Sequence, residues 1–481
     1  MVAQDTRLSG GVDGRVESSV DAASVHWFQQ RLIGELIRPG DDGYDAARQV
    51  WNGAVDRHPA FIVRCRDAAD VLHAVRFARK HDLPLAVRSG GHSMAGHGVL
   101  DGAVVVDLSR MNALSVDPQR RTAWAQPGLT WGEYAAGTHA FGLATPAGDS
   151  ATVGVGGLAL GGGIGWLVRK HGLTVDNLIS VEIVTADGRL LKASAERHAD
   201  LFWALRGGGG NFGIATGFEF RLHPVSTVLG GALFYPATPE VLSAYARAAA
   251  AAPEELSTIA AVMQAPPLPF IPADKHGSLV LAILVCYAGD QEAGQEAGQE
   301  AGQEAVAPLR AIGTPIADLL GPMPYPALFE LTGEGAVRRP HSVRSMFMDG
   351  FDPETATTIL EHCQRMTSPY GMAQIRVLGG AMARVPSHAT AFAHRDKSIL
   401  IMLINAWEDA ATAERHVAWT EAFWRALQPR AAGVYVNFLA DEGAARIREA
   451  YPAATYGRLA AIKRRYDSKN VFRGNQNIRP A

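Results

Sequence analysis

The sequence predicts a mixed fold, either α/β or α+β, divided into two domains. The chain has 481 residues, more than a single compact domain usually holds. Between residues 60 and 220, short apolar segments with strand character alternate with amphipathic helical segments. Past Pro224 the glycine density falls and a second series of strands and helices begins. Hydrophobic residues make up 47% of the chain and charged residues 19%, a balance typical of globular proteins with large cores.

The first region begins with a strand over 61–63, followed by a helix that Asp67 can cap. Along that helix the apolar residues Val71, Leu72, Val75 and Ala78 recur at helical spacing. Further segments with strand character are 83–87, 104–106, 122–127, 178–185 and 214–220, and a helix is predicted over 131–141. This alternation accounts for the mixed class of the first region.

The second region contains two strand segments, 279–285 and 399–404, and two helical segments, 241–252 and 411–425. They predict a sheet covered by helices, in a domain over residues 227–430. Within it the unit Gln-Glu-Ala-Gly repeats in tandem from 291 to 305. Glycine at every fourth position weakens a helix, so we interpret the repeat as a solvated loop or frayed helix rather than a carboxylate metal site.

Charge and composition argue against several classes of protein. The net charge is -3 and no basic block occurs, which disfavours a nucleic-acid surface. Cys65, Cys286 and Cys363 lie far apart and predict no disulfide framework. No apolar run approaches the roughly 20 residues that span a bilayer. Residues 1–25 are polar and lack the apolar core of a secretory signal, so we expect a flexible tail and a cytoplasmic protein without membrane partners.

The most informative stretch is Arg88-Ser89-Gly90-Gly91-His92-Ser93, which lies on the turn leaving segment 83–87. Glycine permits positive φ angles and lets backbone N–H groups approach a bound anion closely. Arg88 and Ser89 add a positive charge and a hydroxyl that suit a pyrophosphate. His92 places a ring nitrogen at the tip of the loop. Because glycine turns beside histidines are common, this run by itself does not decide for a cofactor site.

Two more glycine clusters follow, over 152–165 and 207–213. The first fits the dinucleotide fingerprint at Gly154, Gly156 and Ala159, with Asp176 20 residues past Gly156. That fingerprint needs an apolar strand directly before it, whereas residues 146–151 form a polar turn. A nicotinamide site therefore stays an alternative, as do glycines that only pack a helix on a sheet. Three backbone-rich loops in one region favour a glycine-lined surface under a flat ring system.

Together these motifs resemble the FAD-linked oxidases of the berberine-bridge-enzyme-like group, within the vanillyl-alcohol-oxidase family of flavoproteins. The matching segments are 88–93, 148–165, 172–177, 205–213 and 466–478, in order along almost the whole chain. The resemblance implies an α+β fold of two domains. A PCMH-type FAD-binding domain over 26–226 is completed by a C-terminal return over 431–481. An antiparallel sheet with helices, over 227–430, forms an inserted substrate-binding domain.

The resemblance also implies how FAD is held. His92 corresponds to the histidine that family members bond covalently to the flavin 8α-methyl group. Ser150 stands where many members have a cysteine that makes a second bond, so we expect single attachment through His92. The residues expected to contact FAD are Arg88, Ser89, Gly90, Gly91, His92, Ser93, Gly148, Asp149, Ser150, Val153, Gly154, Gly157, Gly161, Gly213, Ile214, Tyr435, Asn437, Asn475 and Asn477.

Val153 occupies the position that gates oxygen access in these flavoproteins, where a small valine accompanies oxidase behaviour. We therefore expect an oxidase that moves hydride from a small organic substrate (an amine, an alcohol or a secondary metabolite) to flavin N5, with O2 reoxidising the flavin to give H2O2. The alternatives are a dehydrogenase with another acceptor, a nicotinamide-dependent oxidoreductase and a non-catalytic flavin-binding protein. We expect no metal, and a monomer or a homodimer.

The usual catalytic base of plant members is absent, because Phe438 and Ile164 stand at its two tyrosine positions. Tyr435, Asn437 and His394 remain as catalytic candidates beside Val153, although a lone histidine is more often structural. A neutral amine can give up hydride without a protein base, unlike most alcohols. This difference, and the likeness of 163–167 and 435–438 to the bacterial 6-hydroxynicotine-oxidase-like branch, favour a C–N or apolar aromatic substrate. Asn405 is a further candidate for a polar group over the flavin, and pocket, core or surface positions are expected for Phe347, Met348, Gln374 and Arg376.

Overall fold

The computed structural model describes residues 20–289 and 295–481 and shows an α+β molecule with three main sheets. The first sheet contains β1 (Glu35–Ile37), β2 (Phe61–Arg64), β3 (Leu85–Arg88) and β4 (Val104–Asp107), in the order β1-β2-β4-β3. Helices α1 (Ala22–Gln29), α2 (Tyr44–Ala47) and α3 (Ala68–Lys80) accompany it. Strands β2, β4 and β3 are parallel, so α3 is the crossover between β2 and β3. Asp67 caps α3 as predicted, by accepting hydrogen bonds from two backbone N–H groups.

The second sheet is antiparallel, with the order β5-β6-β10-β8-β9. Its strands are β5 (Leu114–Asp117), β6 (Thr122–Ala125), β8 (Leu178–Val184), β9 (Leu190–Ser194) and β10 (Ile214–Arg221), and β7 (Leu143–Ala144) pairs separately with β11 (His223–Pro224). Four helices lie between these strands in sequence: α4 (Trp131–His139), α5 (Val155–Gly161), α6 (Val168–His171) and α7 (Ala199–Leu205). A capping box between Thr130 and Glu133 fixes the start of α4.

The third sheet has eight antiparallel strands in the order β15-β12-β14-β13-β18-β19-β17, with β16 beside β12. They are β12 (Thr227–Pro236), β13 (Leu256–Gln264), β14 (Leu279–Tyr287), β15 (Ala317–Asp318), β16 (Gly321–Pro324), β17 (His341–Met348), β18 (Met372–Val377) and β19 (Ile399–Ala406). Its helices are α8 (Pro239–Ala251), α9 (Gln295–Arg310), α10 (Pro353–Cys363), α11 (Ala381–Arg384) and α12 (Ala413–Leu427).

The two faces of the third sheet have different neighbours. Ile375 and Ile401 share a buried core with Phe423 of α12. Side chains alternate along a strand, so the other face carries residues such as Phe347 and Leu400, which join the core of the second sheet. This second face is therefore the one turned toward the glycine-rich half of the molecule.

The C-terminal segment returns to that glycine-rich half through α13 (Gly443–Ala450) and α14 (Ala453–Tyr466). Lys463 on α14 is fully buried and donates to the Asp467 carboxylate and to the carbonyls of Asn211 and Phe472. Asn211 Oδ1 in turn accepts from the backbone N–H of Ile478. These bonds hold the tail against the third glycine loop.

The predicted α+β class is confirmed, and two local expectations change. The expected tail, residues 1–25, overlaps α1 from Ala22 onward, because Val25 and Phe28 are buried in the core of the first sheet. Residues 1–19 lie outside the described residues. Of the Gln-Glu-Ala-Gly repeat, 290–294 also lie outside them, and α9 begins at Gln295. Within the described ranges no cluster of His, Cys, Asp and Glu could hold a metal ion, and no helix could cross a membrane. The division at residues 226 and 430 stays a prediction.

Candidate active site

The three glycine clusters meet in one cavity of about 290 Å³, which is also lined by residues of the first two sheets and of the C-terminal segment. From the residues expected at a cofactor site, the cavity is lined by Arg88, Ser89, Gly90, Gly91, His92, Ser93, Asp149, Val153, Gly154, Gly157, Gly213, Ile214, Tyr435, Asn437 and Asn475. Gly148, Ser150, Gly161, Asn477 and His394 are not among its lining residues. Segments far apart in the chain therefore line one continuous cavity, and the contact of these residues with FAD stays a prediction.

Arg88 differs from its expected role as a pyrophosphate ligand. It is 8% exposed, and its Nη2 donates to the Asp107 carboxylate of β4 at 2.7 Å. Its Nη1 donates to the carbonyls of Ala47 and Gln49. The guanidinium is thus engaged by the protein, and it anchors the first loop to the sheet.

The first and second loops touch backbone to backbone at Gly90 and Gly154. A Cβ added to Gly90 would lie 2.3 Å from the nitrogen of Gly154, so only glycine fits there. The Ser89 hydroxyl stabilises this contact, because it donates to the Pro127 carbonyl and accepts from the Gly156 N–H. Gly157, by contrast, has open space where its Cβ would be, and it faces the cavity. A backbone surface without side chains is therefore available to a flat or phosphate-bearing group.

His92 stands at the cavity wall with a neutral ring. Its Nε2 lies 3.0 Å from Thr152 Oγ1, and its ring stacks on Trp51 at 5.5 Å between centroids. Burial, with the nearby His341, lowers the pKa of His92 to about 4. Within the described chain no hydrogen bond is made to Nδ1. At neutral pH this imidazole is unprotonated, and the lone pair lies on Nδ1 in the tautomer whose Nε2–H donates to Thr152.

Tyr435 and Asn437 close the cavity above the second glycine loop. The Tyr435 hydroxyl accepts from the Gly163 N–H at 2.7 Å and from Asn437 Nδ2 at 2.8 Å. Gly163 has a φ of +83°, a left-handed conformation that favours glycine. Burial raises the pKa of Tyr435 to about 12, so the hydroxyl keeps its proton near neutral pH.

His394 lies outside this group and has a structural partner. Its Nε2 is hydrogen-bonded to the Glu449 carbonyl at 2.8 Å, and its ring packs 5.2 Å from that of Phe347. Burial lowers the pKa of His394. This geometry does not support the catalytic role considered for it. Met348 and Asn405 are likewise occupied, the first in the core under the helices and the second in hydrogen bonds to Thr367 and His416.

Several lining residues were missed by sequence reasoning, chiefly Met94, His97, Asn211 and Gln476. Burial lowers the pKa of His97 to about 4, and its Nε2 is buried without a partner among the described residues. The five-residue spacing between His92 and His97 was a visible signal, but it fits no known ligand pattern. Gln476 lies in the polar C-terminal segment 466–478, where only Asn475 and Asn477 were predicted to contact FAD.

These residues fit a bound FAD. Gly157 and Gly210 offer open backbone surface in the cavity, and the buried Oδ1 atom of Asn475, which also lines it, has no partner within the described ranges. A nicotinamide site of the strand–turn–helix type fits less well, because residues 145–153 before Gly154 form no strand. Fold and site together define an FAD-binding oxidoreductase.

Comparison with known proteins supports that class. Residues 59–194 match the family model described as FAD binding domain, and residues 434–479 match the one described as berberine and berberine like. The uncharacterized FAD-linked oxidoreductase YvdP of Bacillus subtilis is 32% identical over 94% of this chain and 99% of its own. The chain therefore belongs to the berberine-bridge-enzyme-like FAD-linked oxidoreductases.

Two further relatives are both named as oxidases of 6-hydroxynicotine. The (R)-6-hydroxynicotine oxidase of Paenarthrobacter nicotinovorans is 30% identical over 93% of this chain and 97% of its own. The crystal structure of 6-hydroxy-D-nicotine oxidase from Arthrobacter nicotinovorans superposes with a TM-score of 0.82 at 27% identity, covering 94% of this chain and 98% of that one. The α+β fold inferred from the sequence is thus that of a solved oxidase.

Proposed function

We propose that this protein is an FAD-dependent oxidase that takes hydride from a carbon atom of a small organic substrate and passes the electrons to O2, giving H2O2. The observation that carries the proposal is one glycine-lined cavity in which His92, Val153 and the Tyr435–Asn437 pair come together. FAD, when bound there, supplies a hydride acceptor at N5 and the subsequent reaction with oxygen. The chain supplies binding, orientation and the protonation states of nearby groups.

We propose further that FAD is attached covalently through His92 alone. The neutral ring and its free Nδ1 support this role, because a protonated imidazole has no lone pair with which to form a bond. Thr152 orients the ring through Nε2. No thiol is placed for a second bond, since Ser150 stands at the corresponding position and Cys65, Cys286 and Cys363 do not line the cavity.

The oxidative half-reaction depends on Val153 in this proposal. Val153 lies on the cavity wall, partly buried against the core of the second sheet. Its short side chain leaves room beside the cofactor, which supports use of oxygen rather than another acceptor. The dehydrogenase alternative predicts poor reaction with oxygen at the same site.

The reductive half-reaction needs no proton acceptor from Tyr435. With a pKa of about 12 this hydroxyl holds its proton, so it can donate a hydrogen bond but cannot accept a proton near neutral pH. Asn437 orients it by donating to its oxygen. A substrate that gives up hydride without prior deprotonation, such as a neutral amine, suits these residues.

The test begins with the visible spectrum of the purified protein and acid precipitation. Yellow colour in the pellet is expected for wild type and for His388→Ala, an exposed control histidine. His92→Ala should move the colour to the supernatant. Colourless protein after incubation with FAD would refute the proposal, and colour in the wild-type supernatant would refute covalent attachment alone.

The acceptor is tested by comparing reoxidation by oxygen and by a dye. Val153→Leu should slow the reaction of the reduced protein with oxygen by about tenfold or more, a barrier increase of about 1.4 kcal/mol, while the dye rate stays within about twofold. A wild-type protein that reacts with the dye and hardly with oxygen would establish the dehydrogenase alternative. The cytoplasmic location, the monomeric or homodimeric state and a role in secondary metabolism stay predictions.

A further inference from the structure

Asp149 brings a carboxylate to the wall of the cavity. Its side chain is 20% exposed, and no other Asp or Glu lines the cavity among residues 20–289 and 295–481. Arg88, an arginine of the same wall, is already paired with Asp107. Asp149 is therefore the acidic group that a molecule in the described cavity meets.

Arg376 on β18 occupies one oxygen of this carboxylate and leaves the other free. Its Nη2 donates to Oδ2 of Asp149, and its side chain is 4% exposed and lies outside the cavity lining. No residue of the described chain donates a hydrogen bond to Asp149 Oδ1. This oxygen is an accessible atom, unlike the buried oxygens that have no partner. It can therefore accept a hydrogen bond from a bound molecule.

The carboxylate lies in the same part of the cavity as His92 and Tyr435. Thr152, three residues beyond Asp149, contacts the His92 ring at 3.0 Å between Oγ1 and Nε2. Burial raises the pKa of Tyr435 to about 12, and the negative charge of Asp149 adds to that effect. A molecule bound at Asp149 therefore lies beside the groups to which the proposed function gives roles.

Two contacts from the region expected to bind substrate hold Asp149 in place. Thr332 Oγ1 donates to the backbone carbonyl of Asp149 at 2.5 Å, and Arg376 holds the side chain. The Phe438 ring lines the cavity next to this pair, with its centre 5.3 Å from the guanidinium carbon. The carboxylate is thus preorganised beside an apolar ring, which lowers the entropy cost of binding a ligand.

We propose that Asp149 recognises the substrate, and that the substrate carries a cationic nitrogen with N–H donors on a flat, apolar body. This inference rests on the proposed function and narrows its substrate class. The free oxygen of Asp149 accepts a charge-assisted hydrogen bond from that nitrogen, and such bonds are roughly twice as strong as neutral ones. Phe438 offers the apolar body a ring to pack against.

The charge of Arg376 reduces this attraction without cancelling it. The ion pair is neutral as a whole, but a cation in the cavity contacts the carboxylate directly and is farther from the guanidinium behind it, and Coulomb energy falls with distance. An anion at the same place is repelled. A protonated nitrogen has no lone pair to assist hydride loss, so the carbon that is oxidised belongs to another part of the substrate.

The experiment follows the flavin absorption of the yellow holoenzyme during titration with benzamidine, benzamide and benzoate. These probes share a flat ring and differ in charge, and the carbon that carries their nitrogen or oxygen has no hydrogen to give to the flavin. Benzamidine, the cation, should bind at least about tenfold tighter than either counterpart. Asp149→Asn should weaken benzamidine binding by at least about tenfold and change benzamide binding by less than about threefold.

Further variants keep the test independent of folding, because Asp149→Asn leaves the buried guanidinium of Arg376 without its charged partner. The double variant Asp149→Asn with Arg376→Gln removes both charges and should lose the preference for benzamidine in the same way. Arg376→Gln alone removes the opposing charge and should leave benzamidine binding as tight as in wild type or tighter. The matched control is Glu254→Gln, which breaks an exposed ion pair with Arg384 away from the cavity and should leave all three affinities unchanged.

Three results would overturn the proposal directly: a retained preference for benzamidine in the double variant, tighter binding of benzoate than of benzamidine, or no spectral response to benzamidine up to about 10 mM. A shifted flavin spectrum of ligand-free Asp149→Asn with unchanged benzamidine affinity would overturn it too, since Asp149 would then serve the cofactor alone. Colourless protein would instead refute the proposed function.

Discussion

Tyr435→Phe tests whether the phenolic oxygen supports the glycine turn above the cavity. The substitution keeps the ring, which is 2% exposed, and removes the acceptor of two hydrogen bonds. Asn437 Nδ2 retains the Leu158 carbonyl as a partner, at 3.2 Å. The N–H of the buried Gly163 retains none, since its bond at 2.7 Å is to Tyr435. The substitution therefore leaves one buried backbone N–H group, that of Gly163, without a hydrogen-bond partner.

The expected change in stability follows from this one unpaired donor. A buried donor left without a partner costs about 1–3 kcal/mol, and we expect the free energy of unfolding to fall by that amount. Because the pKa of Tyr435 is about 12, the same variant should keep the wild-type pH dependence of turnover between about pH 6 and pH 9.

Urea unfolding, followed by tryptophan fluorescence and by flavin absorption, measures the stability change. Tyr370→Phe is the matched control, because its hydroxyl donates to Glu408 at 2.8 Å on the surface; its effect should stay within about 0.5 kcal/mol. Equal stabilities of Tyr435→Phe and wild type would refute the hydrogen-bond argument. A pH–rate inflection that disappears in the variant would show that Tyr435 acts as a base.

Two further predictions concern stability. Lys463→Met leaves the fully buried Asp467 carboxylate without its charged partner, and it should lower the free energy of unfolding in urea by about 3–5 kcal/mol. Adding Asp467→Asn should recover part of that stability. No recovery in the double variant would contradict the ion-pair explanation. Acidification from about pH 6.5 to about pH 4 should lower the melting temperature, because His92, His97 and His223 have folded pKa values of about 4, and unfolding lets them bind protons. Their contribution is complete above about pH 6.5, and a melting temperature that rises on acidification would contradict it.

Local structure followed closely from local sequence. The segment 214–220 was predicted as a strand and is observed as Ile214–Arg221, and the helix after Asp67 runs from Ala68 to Lys80. Apolar periodicity and capping residues act over a few positions, so they are visible in a single sequence. The ordered start at Ala22 was missed because α1 depends on burying Val25 and Phe28 against a sheet formed later in the chain.

The sequence by itself determined the glycine loops, the position of His92 and the serine at 150, because residue type decides what a backbone can approach and which side chains can react. Only the tertiary structure decided which polar groups pair. The guanidinium of Arg88, a residue of the cavity wall, pairs with Asp107, and Arg376 meets Asp149 across 227 positions of the chain. A side chain carries its donors and acceptors with it, but its partner is chosen by how distant strands and loops pack together.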